Sequence, residues 1–126
     1  MMNTALPRWL LAIAAALILL NAVMHTTAFA QARAAAAASN LATFFGQSFQ
    51  ALWLIESVTL LMLAVVFGLV AARPAMASGA VIALLAMVPA ATAGMLYRFI
   101  GGRFLPAHLF LLAAALALAS GLLRAA

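Results

Sequence analysis

The chain contains no cysteine, no lysine and no aspartate, and Glu56 is its only acidic residue. Without cysteine it can form neither a disulfide nor a thiolate metal site nor a thiol redox centre. Only 6% of its 126 residues are charged, whereas a soluble domain carries roughly a quarter. A chain that is 71% hydrophobic cannot cover a water-facing surface, so its composition predicts that lipid is its solvent.

The sequence has four apolar runs, each close to the roughly 20 residues that cross the hydrocarbon core as a helix. These runs lie at about 9–30, 49–72, 77–97 and 104–123. They are about twice as long as the alternating strands of a membrane barrel, which excludes that architecture. We therefore predict an all-α integral membrane protein, with a single domain over 1–126 that is an antiparallel bundle of four transmembrane helices.

Two of the three predicted connections are short. Arg73-Pro74 separates the second helix from the third, and Gly101-Gly102 separates the third from the fourth. Helices joined by short connections are expected to pack as antiparallel neighbours. The first connection is longer and Ala-rich, and it is predicted to extend the first two helices, with a turn near Ser39-Asn40. A short interfacial helix is the alternative there.

Small residues recur at four-residue spacing on three of the predicted helices. Such residues let helix backbones approach closely in lipid, where no hydrophobic effect drives association. These faces are Ala64/Gly68/Ala72, Ala86/Ala90/Gly94 and Ala113/Ala117/Gly121.

All six basic residues are arginines at the predicted helix ends, a position typical of anchors in the headgroup layer. They do not cluster on one face as nucleic-acid binding requires, so no nucleic-acid partner is predicted. Three of these arginines lie on each side of the predicted bundle. Neither side therefore has the excess of positive residues that sets the orientation of a membrane protein. We expect both termini in the cytoplasm, with dual orientation left open. Arginine without lysine, together with abundant alanine, indicates a GC-rich bacterial gene and hence the bacterial cytoplasmic (inner) membrane.

The N-terminal segment also fits a secretory signal peptide. Arg8 precedes an apolar run, and Ala28-Phe29-Ala30 resembles a small-residue cleavage site. Retention of residues 1–30 is the preferred interpretation, and cleavage, which would leave three helices, is the alternative.

The polar side chains of the predicted bundle gather at one membrane level. Glu56 lies about two turns into the second helix, where a charge is costly, so it is expected to be a neutral acid or to pair with Arg98 or Arg103. An antiparallel bundle brings both histidines to the same leaflet. We predict a polar pocket there, and its candidate residues are His25, Glu56, His108, Arg98, Arg103, Asn21, Trp53 and Tyr97. Taken singly, each of these residues also has a purely structural interpretation as an interface residue or an ion-pair partner.

Three classes of function remain open from the sequence. The default is a protein whose pocket binds a lipid or a small amphipathic ligand, or an accessory subunit within a homo-oligomer or a larger membrane complex. The second class is an enzyme or a metal or haem site. Two histidines and a carboxylate form a known ligand set for iron or zinc. Its candidates are His25, Glu56 and His108, although no HExxH-type spacing supports them, and the sequence identifies no cofactor.

The third class is a proton-coupled transporter in which Glu56 exchanges a proton for a cationic substrate. The length, the four helices and the single membrane carboxylate resemble small multidrug transporters. In that family the essential acid is in the first helix, and here the first helix has none. The resemblance is therefore one of architecture only.

Overall fold

The computed structural model describes residues 5–125, and all of its regular structure over that range is helical. Residues 1–4, which belong to the candidate signal segment, and residue 126 lie outside the described residues. The α-helices are α1 (Ala5–Thr27), α2 (Phe29–Ala37), α3 (Thr43–Ala72), α4 (Gly79–Phe99) and α5 (Leu105–Ala125), with a 3₁₀ turn at Pro74–Met76. Four helical segments are long and apolar enough to cross a membrane, with α1 and α2 counted together as one. This confirms the predicted number of candidate spans.

A break at Ala28 separates α1 from α2. The hydroxyl groups of Thr26 and Thr27 donate to carbonyls one turn earlier, at 2.7 and 2.9 Å, and such bonds tend to bend helices. The indole of Trp53 donates to the His25 carbonyl at 2.8 Å. A side chain therefore also bonds to a backbone carbonyl of α1 just before the break, and such a contact can kink a helix. The segment predicted to extend the first helix therefore forms a separate short helix, α2, as in the alternative given above, and none of its residues is buried.

The tight turn between α4 and α5 depends on a glycine. Gly101 has φ +106°, a left-handed conformation that residues with a Cβ rarely adopt. The N–H groups of Ile100 and Gly101 both donate to the Leu96 carbonyl, at 2.8 and 3.1 Å, which closes the end of α4. Pro106 follows within the first turn of α5, where its missing N–H costs little.

The helices pack in the order α3, α1, α5, α4. The first helix lies between α3 and α5, and α4 packs on the other side of α5. The expectation that α3 and α4 are packed neighbours was wrong, because these two helices make few contacts over the described residues. The physical reason is that α4 packs instead on the small-residue face of α5, where Ala113 and Ala117 are fully buried and Gly121 meets Gly79. Gly68 and Gly94, on the corresponding faces of α3 and α4, have open space beside them.

The closest helix approach is between α4 and α5. Gly79, the first residue of α4, meets Gly121 near the end of α5. A Cβ on Gly121 would lie 2.7 Å from the Gly79 carbonyl oxygen and 2.9 Å from the backbone nitrogen of Ala83. Only a residue without a side chain fits between these backbones.

Polar contacts join neighbouring helices near their ends. The Arg8 Nε donates to the Ala71 carbonyl at 3.0 Å, which joins the start of α1 to the end of α3. The Ser120 hydroxyl, fully buried, donates to the Pro7 carbonyl at 2.7 Å, which joins the end of α5 to the same end of α1. Together with the approach of Gly79 to Gly121, these contacts place the starts of α1 and α4 beside the ends of α3 and α5.

Candidate functional site

A cavity of about 340 Å³ lies at the other end of the helices, between the two helices that do not pack on each other. Residues of all four long helices, α1, α3, α4 and α5, line it. Most of its lining is apolar, including Leu60, Leu96 and Phe110. The packing order therefore creates the cavity, because α3 and α4 are the two ends of the series and leave a gap between them.

Asn21 gives this cavity a buried amide. Its side chain is only 2% exposed, and neither its Oδ1 nor its Nδ2 has a hydrogen-bond partner among the residues that the structure describes. Leaving such a group buried and unpaired costs about 1–3 kcal/mol by mutational measures. The sequence position explains its placement, because Asn21 lies one turn before His25 and shares its helix face.

Glu56 brings the chain's only acidic side chain to the same cavity. It is half-buried and forms neither an ion pair nor a hydrogen bond with any residue between 5 and 125. The predicted pair with Arg98 or Arg103 is therefore not formed. Both of these arginines are exposed, neither lines the cavity, and Arg98 lies over the ring of Phe99 at 5.6 Å.

His25 and Trp53 form one wall of the cavity through a reciprocal contact. Their rings stack with centroids 4.3 Å apart and planes 7° from parallel. The Trp53 Nε1–H donates to the His25 carbonyl at 2.8 Å, and the His25 Nε2–H donates to the Trp53 carbonyl at 3.1 Å. A carbonyl can only accept, so the second bond places a proton on the His25 Nε2. The contact fixes the end of α1 on α3.

His108 takes part in a different structure, the turn between α4 and α5. Its Nε2–H donates to the Gly102 carbonyl at 2.9 Å, and its Nδ1 accepts the Tyr97 hydroxyl proton at 2.8 Å. Both ring nitrogens are thus engaged, and neither His108 nor Tyr97 lines the cavity. The turn is so tight that a histidine one turn into α5 reaches back to the loop carbonyl instead of across the bundle.

The predicted pocket residues thus separate into two groups. The structure brings Asn21, His25, Trp53 and Glu56 together around the cavity. It places Tyr97, Arg98, Arg103 and His108 at the α4–α5 turn, outside the cavity lining.

The metal and haem alternative required His25, Glu56 and His108 to converge. Among the described residues no group of three histidine or acidic side chains could hold a metal ion. His108 cannot join His25 as a ligand in this arrangement, because both of its nitrogens are engaged at the turn.

One polar residue of the cavity was missing from the sequence prediction. Thr92 of α4 lines the cavity, and its hydroxyl donates to the Val88 carbonyl at 3.0 Å, which leaves the oxygen able to accept. The only signal in the sequence was that Thr92 is the one polar side chain between Pro89 and Tyr97.

The cavity combines apolar walls with hydrogen-bonding groups from three helices. Asn21 offers an amide donor and acceptor, Glu56 a carboxyl group and Thr92 a hydroxyl oxygen. Mostly apolar lining with a few placed polar groups is typical of sites for small ligands. No protein-family model, no curated protein and no solved structure matches this chain.

Proposed function

We propose that the chain is a multi-pass protein of the bacterial cytoplasmic membrane, with four antiparallel helices and both termini in the cytoplasm, and that its cavity binds a small amphipathic ligand. The membrane assignment is supported by large apolar side chains on the outer surface of the helices. Trp9, Leu84 and Phe99 are 68%, 71% and 80% exposed. The end-to-end contacts described above support the antiparallel order.

The observation that carries the ligand proposal is the unpartnered amide of Asn21. An apolar side chain of similar volume would fill the same place without leaving two buried polar atoms unpaired. The cost is offset when a bound molecule supplies the partners. The cavity volume of about 340 Å³ lies at the lower end of the range typical of ligand pockets. A small molecule with one polar end and an apolar remainder matches this lining.

Tryptophan fluorescence can test the proposal, because the chain has two tryptophans and only Trp53 lines the cavity. The variant Trp9→Phe, placed in lipid nanodiscs, leaves Trp53 as the single reporter. Bromo-octanol, whose heavy atom quenches an indole on contact, should quench Trp53 saturably. Quenching that rises only in proportion to the amount of probe in the bilayer would overturn the proposal.

The matched control is the variant Trp53→Phe, which keeps only the exposed Trp9 at the other end of α1. Its quenching should follow the partition of the probe into the bilayer without saturation. Asn21→Leu should weaken the saturable quenching of Trp53, whereas Asn40→Leu, an exposed position in the α2–α3 connection, should leave it unchanged. Equal binding by both variants would show that Asn21 does not contact the ligand.

A further inference from the structure

Glu56 gives the cavity a carboxyl group that no described residue balances. It faces a mostly apolar space, and it forms no ion pair or hydrogen bond with the described part of the chain. A carboxylate in such a place is costly unless it is protonated or a cation lies beside it. The arginines that could have supplied that cation, Arg98 and Arg103, do not line the cavity.

The other titratable group at the cavity is His25 of α1. The described cavity residues of α4 and α5 are Thr92 and apolar side chains, and they add no further charge. The Nε2–H of His25 is committed to the Trp53 carbonyl, and its ring is stacked on the indole. No ion pair joins His25 to Glu56, so His25 contributes to the wall of the cavity and Glu56 has no counter-ion among residues 5–125.

We infer that the ligand is a protonated amine with a short apolar tail, whose ammonium group donates to the Glu56 carboxylate and to the Asn21 Oδ1. This inference rests on the proposed function and names the chemical class of the ligand. An ammonium group carries three N–H donors and no acceptor, so it can serve both oxygens at once. It also supplies the positive charge that the described protein groups around Glu56 do not.

Anionic ligands fit this cavity poorly. A phosphate or carboxylate head would meet the Glu56 carboxyl group with no arginine in the lining to offset the repulsion. A neutral alcohol can bond to Asn21 but cannot compensate a Glu56 carboxylate. The amine is therefore the one of these three head groups that can donate to the Asn21 Oδ1 and also compensate a Glu56 carboxylate.

The volume limits the size of the tail. The cavity of about 340 Å³ is somewhat more than twice the roughly 150 Å³ of a cavity known to hold benzene. Leu60, Leu96 and Phe110 line its apolar part. A tail of the size of an octyl chain fits this space, whereas a two-chain lipid does not.

A matched series of brominated probes tests the inference in the full chain carrying Trp9→Phe, in nanodiscs. The probes are bromo-octylamine, bromo-octanol and bromo-octanoate, which share a tail and differ in the head group. Trp53 quenching gives the apparent affinity of each. The same titrations on Trp53→Phe give the quenching of Trp9, which corrects for partition into the bilayer.

The amine should bind about tenfold or more tightly than the alcohol after this correction, the usual scale for a hydrogen bond to a charged group. Bromo-octanoate should bind most weakly. Glu56→Gln should remove the preference for the amine while alcohol binding stays within about threefold. Thr59→Val, an exposed position on the same helix, should leave the order of the three probes unchanged.

Two outcomes separate this inference from the proposed function. If all three probes bind saturably but the amine has no advantage, or if Glu56→Gln keeps that advantage, the amine assignment is wrong and the ligand cavity stands. If none of the probes quenches Trp53 saturably, the proposed function itself fails.

Discussion

The contact between Gly79 and Gly121 makes Gly121→Ala a sharp test of the helix packing. The added Cβ would lie 2.7 Å from the Gly79 carbonyl oxygen and 2.9 Å from the Ala83 nitrogen. Both atoms belong to a helix backbone, so the clash cannot be relieved by turning a side chain. We expect α4 and α5 to move apart.

The size of the effect follows from two opposing terms. Overpacking a well-packed site costs about 1–3 kcal/mol. Replacing glycine by alanine in a helix gains up to about 1 kcal/mol of helix propensity, and that gain shrinks in lipid, where the separated helices remain helical. Gly121→Ala should therefore lower the free energy of unfolding by up to about 3 kcal/mol.

Gly94→Ala is the matched control within α4. An added Cβ there meets nothing within 4 Å, so only the propensity term applies. Unfolding of both variants by sodium dodecyl sulfate in mixed micelles, followed by circular dichroism, gives the comparison. The difference between the two variants should be about 1–3 kcal/mol, with Gly121→Ala the less stable. Equal stability of the two variants would refute the close approach of α4 and α5.

Other parts of the structure give further expected results. Trp53→Phe, which loses the bond to the His25 carbonyl, should lower the free energy of unfolding by about 0.5–1.5 kcal/mol in the same assay, and Trp9→Phe should change it little; equal effects would argue against the His25–Trp53 contact. His108→Ala should destabilise the fold by about 1 kcal/mol without changing probe binding at Trp53, and a lost binding signal would place His108 at the cavity. Because α1 lies between α3 and α5, the intact mass of protein purified from membranes should include 1–30, and a mass lacking that segment would show signal cleavage.

The sequence predicts the helices well because the physical signal is strong. An apolar run of about 20 residues has few alternatives to a spanning helix, and Gly101-Gly102 marks the observed turn after α4. The shared helix face of Asn21 and His25 follows from their four-residue spacing alone. Counting residues from the start of the predicted second helix placed Glu56 at the same membrane depth as His25. Both residues line the cavity.

The parts that the sequence did not predict depend on tertiary packing. A short connection such as Arg73-Pro74 keeps two helix ends near each other but does not make α3 and α4 pack along their length. The direction of a side chain at a turn depends on the local backbone. His108 points to the turn because its ring bonds to the nearby Gly102 carbonyl. Arg98 and Arg103 have long side chains that remain exposed instead of turning toward Glu56.

The packing order also suggests how a ligand reaches the cavity. Under the proposed function, an amphiphile would enter from the bilayer between α3 and α4, which make few contacts with each other, and its tail would meet the mostly apolar lining of the cavity. We therefore expect probe binding to depend on its concentration in the bilayer and not on its concentration in water, which nanodiscs at varied lipid content can measure.

The most direct test of whether Glu56 lines a ligand site is the NMR signal of its carboxyl group. Glu56 is the only acidic residue of the chain, so glutamate labelled with ¹³C at the side-chain carboxyl gives a single side-chain signal without further assignment. We expect octylamine to shift this signal saturably in lipid nanodiscs, and Asn21→Leu to move the midpoint of the shift to higher concentration. A signal that stays in place throughout titrations with octylamine, octanol and octanoate would contradict the claim that Glu56 lines a ligand site.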